Sequence, residues 1–418
     1  VDPLHCGAGS NTGTFCAAPH KIALGAKEPG PPAIARLKMA RILIVGKFYP
    51  PFMGGIEEVT QTVAEKAAER HDVTVLVNNH EPGSKREMMN GVKVLRQHAV
   101  VNYKAQPISL RMFRGIDLAQ FDLVNFHSPN PYVNALFVLR RALRGGPPVV
   151  VTHHMDIYGR KALRAISLPF IRHLIRSATS VIITSHKNLL VSNDLPRDAH
   201  YEVVPLGLKR EAFDPDDALR AEARQWRAGL SGDAPLVGFV GRIARYKGLD
   251  VLMRALSKLD GVHAAIGGGG EYLAATKQAA IDAGVADRVH FVGRIDHRTK
   301  LKLLCSIDAF VFPSTEITEA FGLSQCEAML CGTPVVASDL PTGVSDVSID
   351  GKTALCVPPG DSDALAGAIR TIITDRALAD RLAAAGRAHV LENMTSDIMA
   401  ARTLDVFERA MARQAKAA

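Results

Sequence analysis

The sequence predicts an α/β protein made of two doubly wound parallel sheets facing a cleft. Three observations carry that expectation. The chain has 418 residues, and a single hydrophobic core rarely grows past roughly 250–300 residues, so two domains are expected. Its residues are 47% hydrophobic and 22% charged, the balance of a chain with a large core, which excludes disorder as the dominant state. Short apolar runs alternate with helical patterns in two successive series, as in repeated βαβ units.

In chain order, residues 1–38 lack hydrophobic periodicity and are rich in Gly, Pro, Ala and Thr. No charged region precedes an apolar stretch there, so the segment reads as a disordered leader or a start-site artefact rather than a secretory signal. Met39 stands directly before a strand and reads as the true start. The first series runs RILIVG (41–46), a helix over 57–70, VTVLV (73–77), VKVL (92–95), DLVNF (122–126), VVVT (149–152) and VIITS (181–185). Continuous apolar runs of this kind suit parallel strands buried on both faces. The second series runs LVGFVG (236–241), VHAAIG (262–267), VHFVG (289–293), AFVF (309–312) and PVVAS (334–338). Two Rossmann-like domains follow, over 39–208 and 209–394. VVPLGL (203–208) reads as the hinge. Residues 395–418 read as a C-terminal amphipathic helix that Thr395 or Ser396 starts.

The net charge of +8 is local. Residues 39–208 hold 21 Lys/Arg against 13 Asp/Glu, whereas residues 209–418 hold 25 against 27. A nucleic-acid-binding protein should carry a domain-wide basic footprint with a recognisable motif, and neither is present. The apolar runs fall far short of the roughly 20 residues that cross a bilayer. Six cysteines occur without a C-x-x-C pair or His at ligand spacing, so zinc is excluded and buried free thiols in a reducing cytosol are expected.

Several motifs fail on inspection. GGGGEYLA (267–274) lacks the third glycine of a dinucleotide fingerprint,. GKT (351–353) has Asp346 where a P-loop needs glycine, and reads as a turn before the strand ALCV. Asp361-Ser362-Asp363 opens a helix, where Asp serves as cap and dipole partner, and Asp214-Pro215-Asp216 follows the hinge. Neither is expected to hold metal.

Four elements carry chemistry. Glu319 and Glu327 lie eight residues apart in EAFGLSQCEAM; a continuous helix would separate their Cα atoms by about 12 Å. That exceeds the roughly 5–9.5 Å of a glycosidase pair but suits two contacts on one extended ligand. Phe321-Gly322 before a helix would turn backbone N–H groups toward an anion. GRIARYKG (241–248) places Arg242 and Lys247 at a strand's carboxyl end, where two cations can neutralise a diphosphate leaving group. Gly54 and Gly55 sit where the first helix begins and permit close approach of a phosphate or sugar. Taken singly, a capped helix with solvated glutamates, a solvated basic loop and a simple turn explain the same residues.

Together, GG (54–55), TxHxD (152–156), GRxxxxKG (241–248), GxGxE (267–271), EAFGLxxxEAM (319–329), CGTPVVAS (331–338) and DGKTxLxVPPGD (350–361) resemble glycosyltransferase family 4. The order and spacing match along nearly the whole chain from Met39. The resemblance implies the GT-B fold, with a C-terminal helix that crosses back. It also implies transfer of a sugar from a nucleotide diphosphate donor, with retained anomeric configuration and no bound metal or other cofactor. Gly55 would face the donor diphosphate, Arg242 and Lys247 would bind it, and Glu327 would hold the ribose. Glu319 would hold the donor sugar's hydroxyls, with backbone N–H groups of Phe321, Gly322 and Leu323 on sugar or phosphate. His154 matches the histidine near the reacting carbon. Its neighbour His153 leaves open which of the two points inward, and His127 is an acceptor-side candidate. Same-face attack, with no protein nucleophile, fits Glu319 on sugar hydroxyls.

Residues 136–176 contain Arg140, Arg141, Arg144, Arg160, Lys161, Arg164, Arg172 and Arg176 against Asp156 alone, interleaved with Leu163, Ile166, Phe170, Ile171 and Leu174. Such a face can lie on an anionic leaflet, as a lipid-linked acceptor would require, or be a solvated basic face. The resemblance suggests a hexose, mannose from GDP-mannose first, moved to a glycan or lipid-linked saccharide at the inner face of the cytoplasmic membrane. A UDP-sugar enzyme, a sugar-phosphate synthase with a soluble acceptor, or a non-catalytic nucleotide-sugar binder are the alternatives.

Overall fold

The computed structural model describes residues 39–417 apart from 53, 104–105, 110 and 158–160. Met39–Ala418 form one compact unit. Its first half contains β1 (Arg41–Val45), α1 (Gly55–Ala68), β2 (Asp72–Asn78), β3 (Lys85–Met89), β4 (Val92–Gln97), the small hairpin β5 (Val101–Tyr103) and β6 (Gln106–Ile108), β7 (Leu123–Ser128), α2 (Pro131–Arg144), β8 (Val149–His153), α3 (Lys161–Ser177), β9 (Ser180–Ile183), α4 (His186–Val191) and β10 (Tyr201–Val203). Eight of these strands form one sheet in the order β10-β9-β8-β7-β1-β2-β4-β3. It is parallel except at its edge, where β3 runs antiparallel to β4.

The second half contains α5 (Asp217–Ser231), β11 (Leu236–Val240), α6 (Leu249–Leu256), β12 (His263–Gly267), α7 (Leu273–Asp282), β13 (Val289–Gly293), α8 (His297–Ser306), β14 (Ala309–Phe312), α9 (Leu323–Leu330), β15 (Val335–Ser338), α10 (Val344–Val347), β16 (Leu355–Val357), α11 (Ser362–Thr374), α12 (Arg376–Asn393) and α13 (Ser396–Ala417). Its six strands are all parallel, in the order β13-β12-β11-β14-β15-β16. This is the expected pair of doubly wound sheets.

Alternation explains why the strands read as unbroken apolar runs. In β1, Ile42 and Ile44 pack with α1, while Leu43 and Val45 pack on the opposite face with Phe126 and Phe137. In β11, Val237 and Phe239 face α6 and α11, while Leu236 and Val240 face α8 and α9. Successive strand residues point to opposite faces, and helices cover both.

The chain passes between the halves twice, and the two crossings are paired. The Leu208 N–H donates to the Met394 carbonyl at 2.9 Å, and the Ser396 N–H donates to the Leu208 carbonyl at 2.8 Å. Beyond this point α13 lies on the first sheet. Met399, Leu404, Val406, Phe407 and Ala410 share a core with Ile42, Ile44, Val59 and Val63. The C-terminal helix therefore crosses back, as expected.

The rejected metal motifs behave as caps. Asp361 accepts from the Asp363 and Ala364 N–H groups at the start of α11, and Asp216 accepts from Leu219 at the start of α5. One expectation needs correcting: Cys326 and Cys331 are buried, but Cys305 and Cys356 are only half-buried. Cys6, Cys16 and the rest of the leader lie outside the described residues.

Candidate active site

The carboxyl edge of the second sheet is built around two loops that pin each other. Gly248 has φ +65°, and a Cβ there would stand 2.0 Å from the Pro313 carbonyl oxygen. The Thr315 N–H donates to the Tyr246 carbonyl at 2.8 Å. The loop after β11 is thereby fixed to the loop after β14, which sets Lys247 against Glu319. Both side chains are buried, and the Lys247 ammonium pairs with Glu319 Oε2. The Ser314 hydroxyl donates to the same oxygen at 3.1 Å, and Thr342 Oγ1 donates to the Glu319 carbonyl at 2.7 Å. Burial, reinforced by the Glu319 carboxylate, pushes the Tyr246 phenol up to about 12. Arg242 behaves differently from Lys247: its side chain is 69% exposed and pairs with Glu271 at 3.1 Å.

Glu319 and Glu327 do not share a helix, contrary to the geometry used above. The chain bends at Gly322, in the left-handed region at φ +75° with the Phe312 ring 2.5 Å from any Cβ, and α9 starts only at Leu323. The leading N–H groups of α9 consequently open beside Glu319, where an anion or hydroxyl can use them. Phe321 offers only its backbone, since its ring is in the core. Glu327, on α9, meets Lys300 of α8 at 2.7 Å. Burial pushes the Glu327 carboxyl up against the pull of Lys300, and Glu58 of α1 adds to the push. Glu58 lies in the same helical turn as Gly55, which is exposed.

On the facing domain, β7 and β8 run side by side with His127 in register with Thr152 and Ser128 with His153. His154 follows β8, and its Nε2 lies 2.9 Å from His127 Nδ1. Thr60 Oγ1 of α1 stands 3.2 Å from the same His127 nitrogen. His153 turns away to Asp156, 3.4 Å distant. Burial raises the Asp156 carboxyl, but its contacts with His153, Ser192 and Asn193 outweigh that and hold it below its ordinary value. His154 lines an interdomain cavity together with His153 and Asn188 from its own domain and Ile317 and Ala320 from the other. Lys187 bridges the domains to Ser345 Oγ at 2.8 Å and Asp346 at 3.1 Å, and Asn188 accepts from the Gly343 N–H at 3.1 Å.

His127 does not line the acceptor side, because it is buried beneath His154. Burial drives its pKa down to about 3, and burial with the neighbouring histidines drives that of His154 well below its ordinary value. Both rings are neutral in the fold and take up protons on unfolding below about pH 6.5. The unfolded chain then binds more protons, so stability falls as pH drops from 6.5 toward 3. His127 alone contributes about 1.4 kcal/mol per pH unit in that window. Thermal melting from pH 7 to pH 4.5 (about the accessible range) checks this. His127→Asn should shallow the decline, and an unchanged slope would contradict the burial assignment.

Many of the cations over 136–176 have partners within the fold. Arg164 pairs with Asp194 at 2.8 Å and Arg176 with Asp198 at 2.9 Å. Arg172 donates to the Asn193 carbonyl at 2.8 Å, Arg141 to that of Pro147 at 2.6 Å, and Arg140 to that of Ile116. Ile171 and Leu174 belong to the core, whereas Leu139, Leu143 and Ile166 are exposed. Arg160 and the side chains of Lys161 and Leu163 lie outside the described residues. Among the described residues, no helix is long and apolar enough to cross a membrane.

Comparison with known proteins shows the family. The model for glycosyl transferases group 1 matches residues 221–389, and the model for glycosyltransferase family 4 matches residues 53–211. A D-rhamnosyltransferase, WbpZ of Pseudomonas aeruginosa, is 30% identical over 77% of this chain and 84% of its own. The chain belongs to the group 1, family 4 glycosyltransferases. Other relatives of this glycosyltransferase include O-antigen chain mannosyltransferase C of Escherichia coli, 27% identical over 86% of this chain and 95% of its own. A GDP-mannose-dependent phosphatidylinositol monomannoside mannosyltransferase of Mycolicibacterium smegmatis is 29% identical over 90% of this chain and 100% of its own. In fold, the glycosyltransferase resembles sucrose-phosphate synthase from Thermosynechococcus elongatus, at TM-score 0.72 and 22% identity over 90% of this chain and all of that one. Anabaena HepE, solved with UDP and glucose, has TM-score 0.69 at 19% identity over 88% of this chain and 100% of that one. The two parallel-sheet domains are the GT-B fold.

Sequence reasoning missed Thr60, Lys300, and the bridge from Lys187 and Asn188 to residues 343–346. None of these carries a local spacing signal, because each partner lies on a distant element.

Proposed function

We propose that this glycosyltransferase moves a hexose from a nucleotide diphosphate sugar, GDP-mannose first, to a glycan or lipid-linked saccharide in cell-surface polysaccharide synthesis. The observation that carries the reading is the buried Lys247–Glu319 pair beside the cavity that His154 lines from the opposite domain. An ammonium there meets charge as it develops on the departing diphosphate, and a carboxylate beside it accepts from sugar hydroxyls. Arg242 adds a second, more mobile cation by exchanging Glu271 for phosphate. Glu327 exchanges Lys300 for the ribose hydroxyls. Gly55 leaves backbone room for the diphosphate at the α1 N-terminus.

With cations and helix N–H groups supplying the positive charge, the reaction needs no bound metal or other cofactor. The acceptor hydroxyl attacks on the face that the diphosphate leaves, and configuration is retained. The GDP-mannose and rhamnose chemistry of the curated relatives guides the donor choice. Transfer assays with GDP-mannose, GDP-rhamnose and UDP-glucose on lipid-linked acceptors, with and without chelator, test the reading. A product of retained configuration formed in chelator is expected. An inverted product or an absolute metal requirement would overturn it, and activity only on a soluble sugar phosphate would move the protein to the synthase alternative.

We further place the enzyme at the inner face of the cytoplasmic membrane. Leu139 and Leu143 project from α2 beside Arg144, and Ile166 projects from α3. Exposed apolar side chains flanked by cations suit an anionic lipid surface. Co-sedimentation with vesicles should increase with anionic lipid, fall with salt, and weaken in Leu143→Glu. Binding indifferent to all three would remove the membrane contact.

A further inference from the structure

Hydrogen positions around His127 are determined by what its neighbours can donate. Thr60 Oγ1 donates its single proton to the Ile56 carbonyl at 2.8 Å and, so oriented, accepts from His127 Nδ1 at 3.2 Å. His127 Nδ1 must then carry the proton, and His154 Nε2, 2.9 Å away, accepts from the same N–H. The opposite arrangement would turn the Thr60 hydroxyl away from the nearer Ile56 carbonyl to donate to His127 Nδ1. It would also leave a protonated His127 Nε2 buried, where that nitrogen has no hydrogen-bond partner among the described residues. An orphaned buried N–H is rarer and costlier than an orphaned lone pair. Burial keeps both rings neutral.

We propose that Thr60 and His127 are positioning residues that lock His154 in one neutral tautomer, with its proton on Nδ1 directed into the interdomain cavity as a donor to a hydroxyl of the transferred sugar. The proposal rests on the donor-sugar reading of His154 given above. Nε2 of His154 is committed to His127, so His154 cannot act there as a general base. A neutral donor also adds no full positive charge beside a reacting carbon that becomes positive as the diphosphate leaves. The nearest other titratable ring, His153, pairs with Asp156 at 3.4 Å and adds to the forces that keep His154 neutral.

The test reads tautomers directly, by long-range proton–nitrogen NMR on the uniformly labelled full chain. His154 should show a protonated Nδ1 and a bare Nε2, with no titration across about pH 5–8. Thr60→Val should partly mix the His154 tautomers, because the acceptor that fixes the proton on His127 Nδ1 is gone. His127→Leu should mix the His154 tautomers and lower kcat by about 10–100-fold with little change in donor KM. His127→Asn, which returns an N–H near the Nδ1 position, should restore most of the rate and the single tautomer. His154 protonated on Nε2 in the unmodified protein would overturn the lock, as would an unaltered tautomer in His127→Leu. If every nucleotide sugar fails as donor while His154 still carries its proton on Nδ1, the lock stands and the transfer reading falls.

Discussion

Glu319→Gln is expected to lower transfer about 100-fold or more while leaving the fold intact. The amide preserves shape and keeps an oxygen for Ser314 and Lys247, but loses the charge that strengthens bonds from sugar hydroxyls,. Alanine is a poorer choice. Lys247 is buried on Glu319, and deleting one partner of a buried pair strands the other, at about 3–5 kcal/mol. Glu319→Ala should therefore lose both activity and stability, and activity alone would not separate the two. Measuring kcat and melting temperature on both variants does. A Gln variant that turns over at the unmodified rate would remove Glu319 from the reaction.

Gly248→Ala should damage the same site without touching a charged group. Left-handed backbone costs a non-glycine residue roughly 1–2 kcal/mol. The new methyl would also meet the Pro313 carbonyl, which is backbone and cannot rotate aside. The two loops must part, and Lys247, one residue earlier, shifts from Glu319. A displacement of about 1 Å in such a site costs about 100-fold in rate. Reduced stability together with a strongly raised donor KM is the expected result. Normal donor KM in a stable Gly248→Ala protein would show that the loop contact does not set Lys247.

The contrast between these residues explains what the sequence could reveal. Lys247, Gly248, Glu319 and Glu327 stand in contiguous motifs, because each loop leaves a strand end and returns within a few residues. Their candidacy was legible; their geometry was less so. The sequence allowed both a continuous helix through Glu319 and a helix that follows Gly322; the left-handed backbone at Gly322 and the Phe312 ring beneath it select the second, with α9 from Leu323. The 136–176 stretch was only partly legible for another reason. A sequence counts cations but does not reveal partners such as Asp194 and Asp198, which lie on the segment after α4. Thr60, His127 and His154 come from three separate elements and meet only because β7 and β8 pair beside α1. No spacing rule encodes that meeting.

Placing α13 on the first sheet has a consequence during synthesis. The strands of that sheet are complete by Val203, but the helix that covers Ile42, Ile44 and Val63 begins only at Ser396. At translation speeds of about 5–20 residues per second, that apolar face waits roughly 10–40 s for its cover. The domain made first on the ribosome is therefore finished last, after the second sheet has been made. Through that interval it presents a surface suited to chaperones, and a message truncated before codon 396 would yield a protein with a complete second half and an open, aggregation-prone first half.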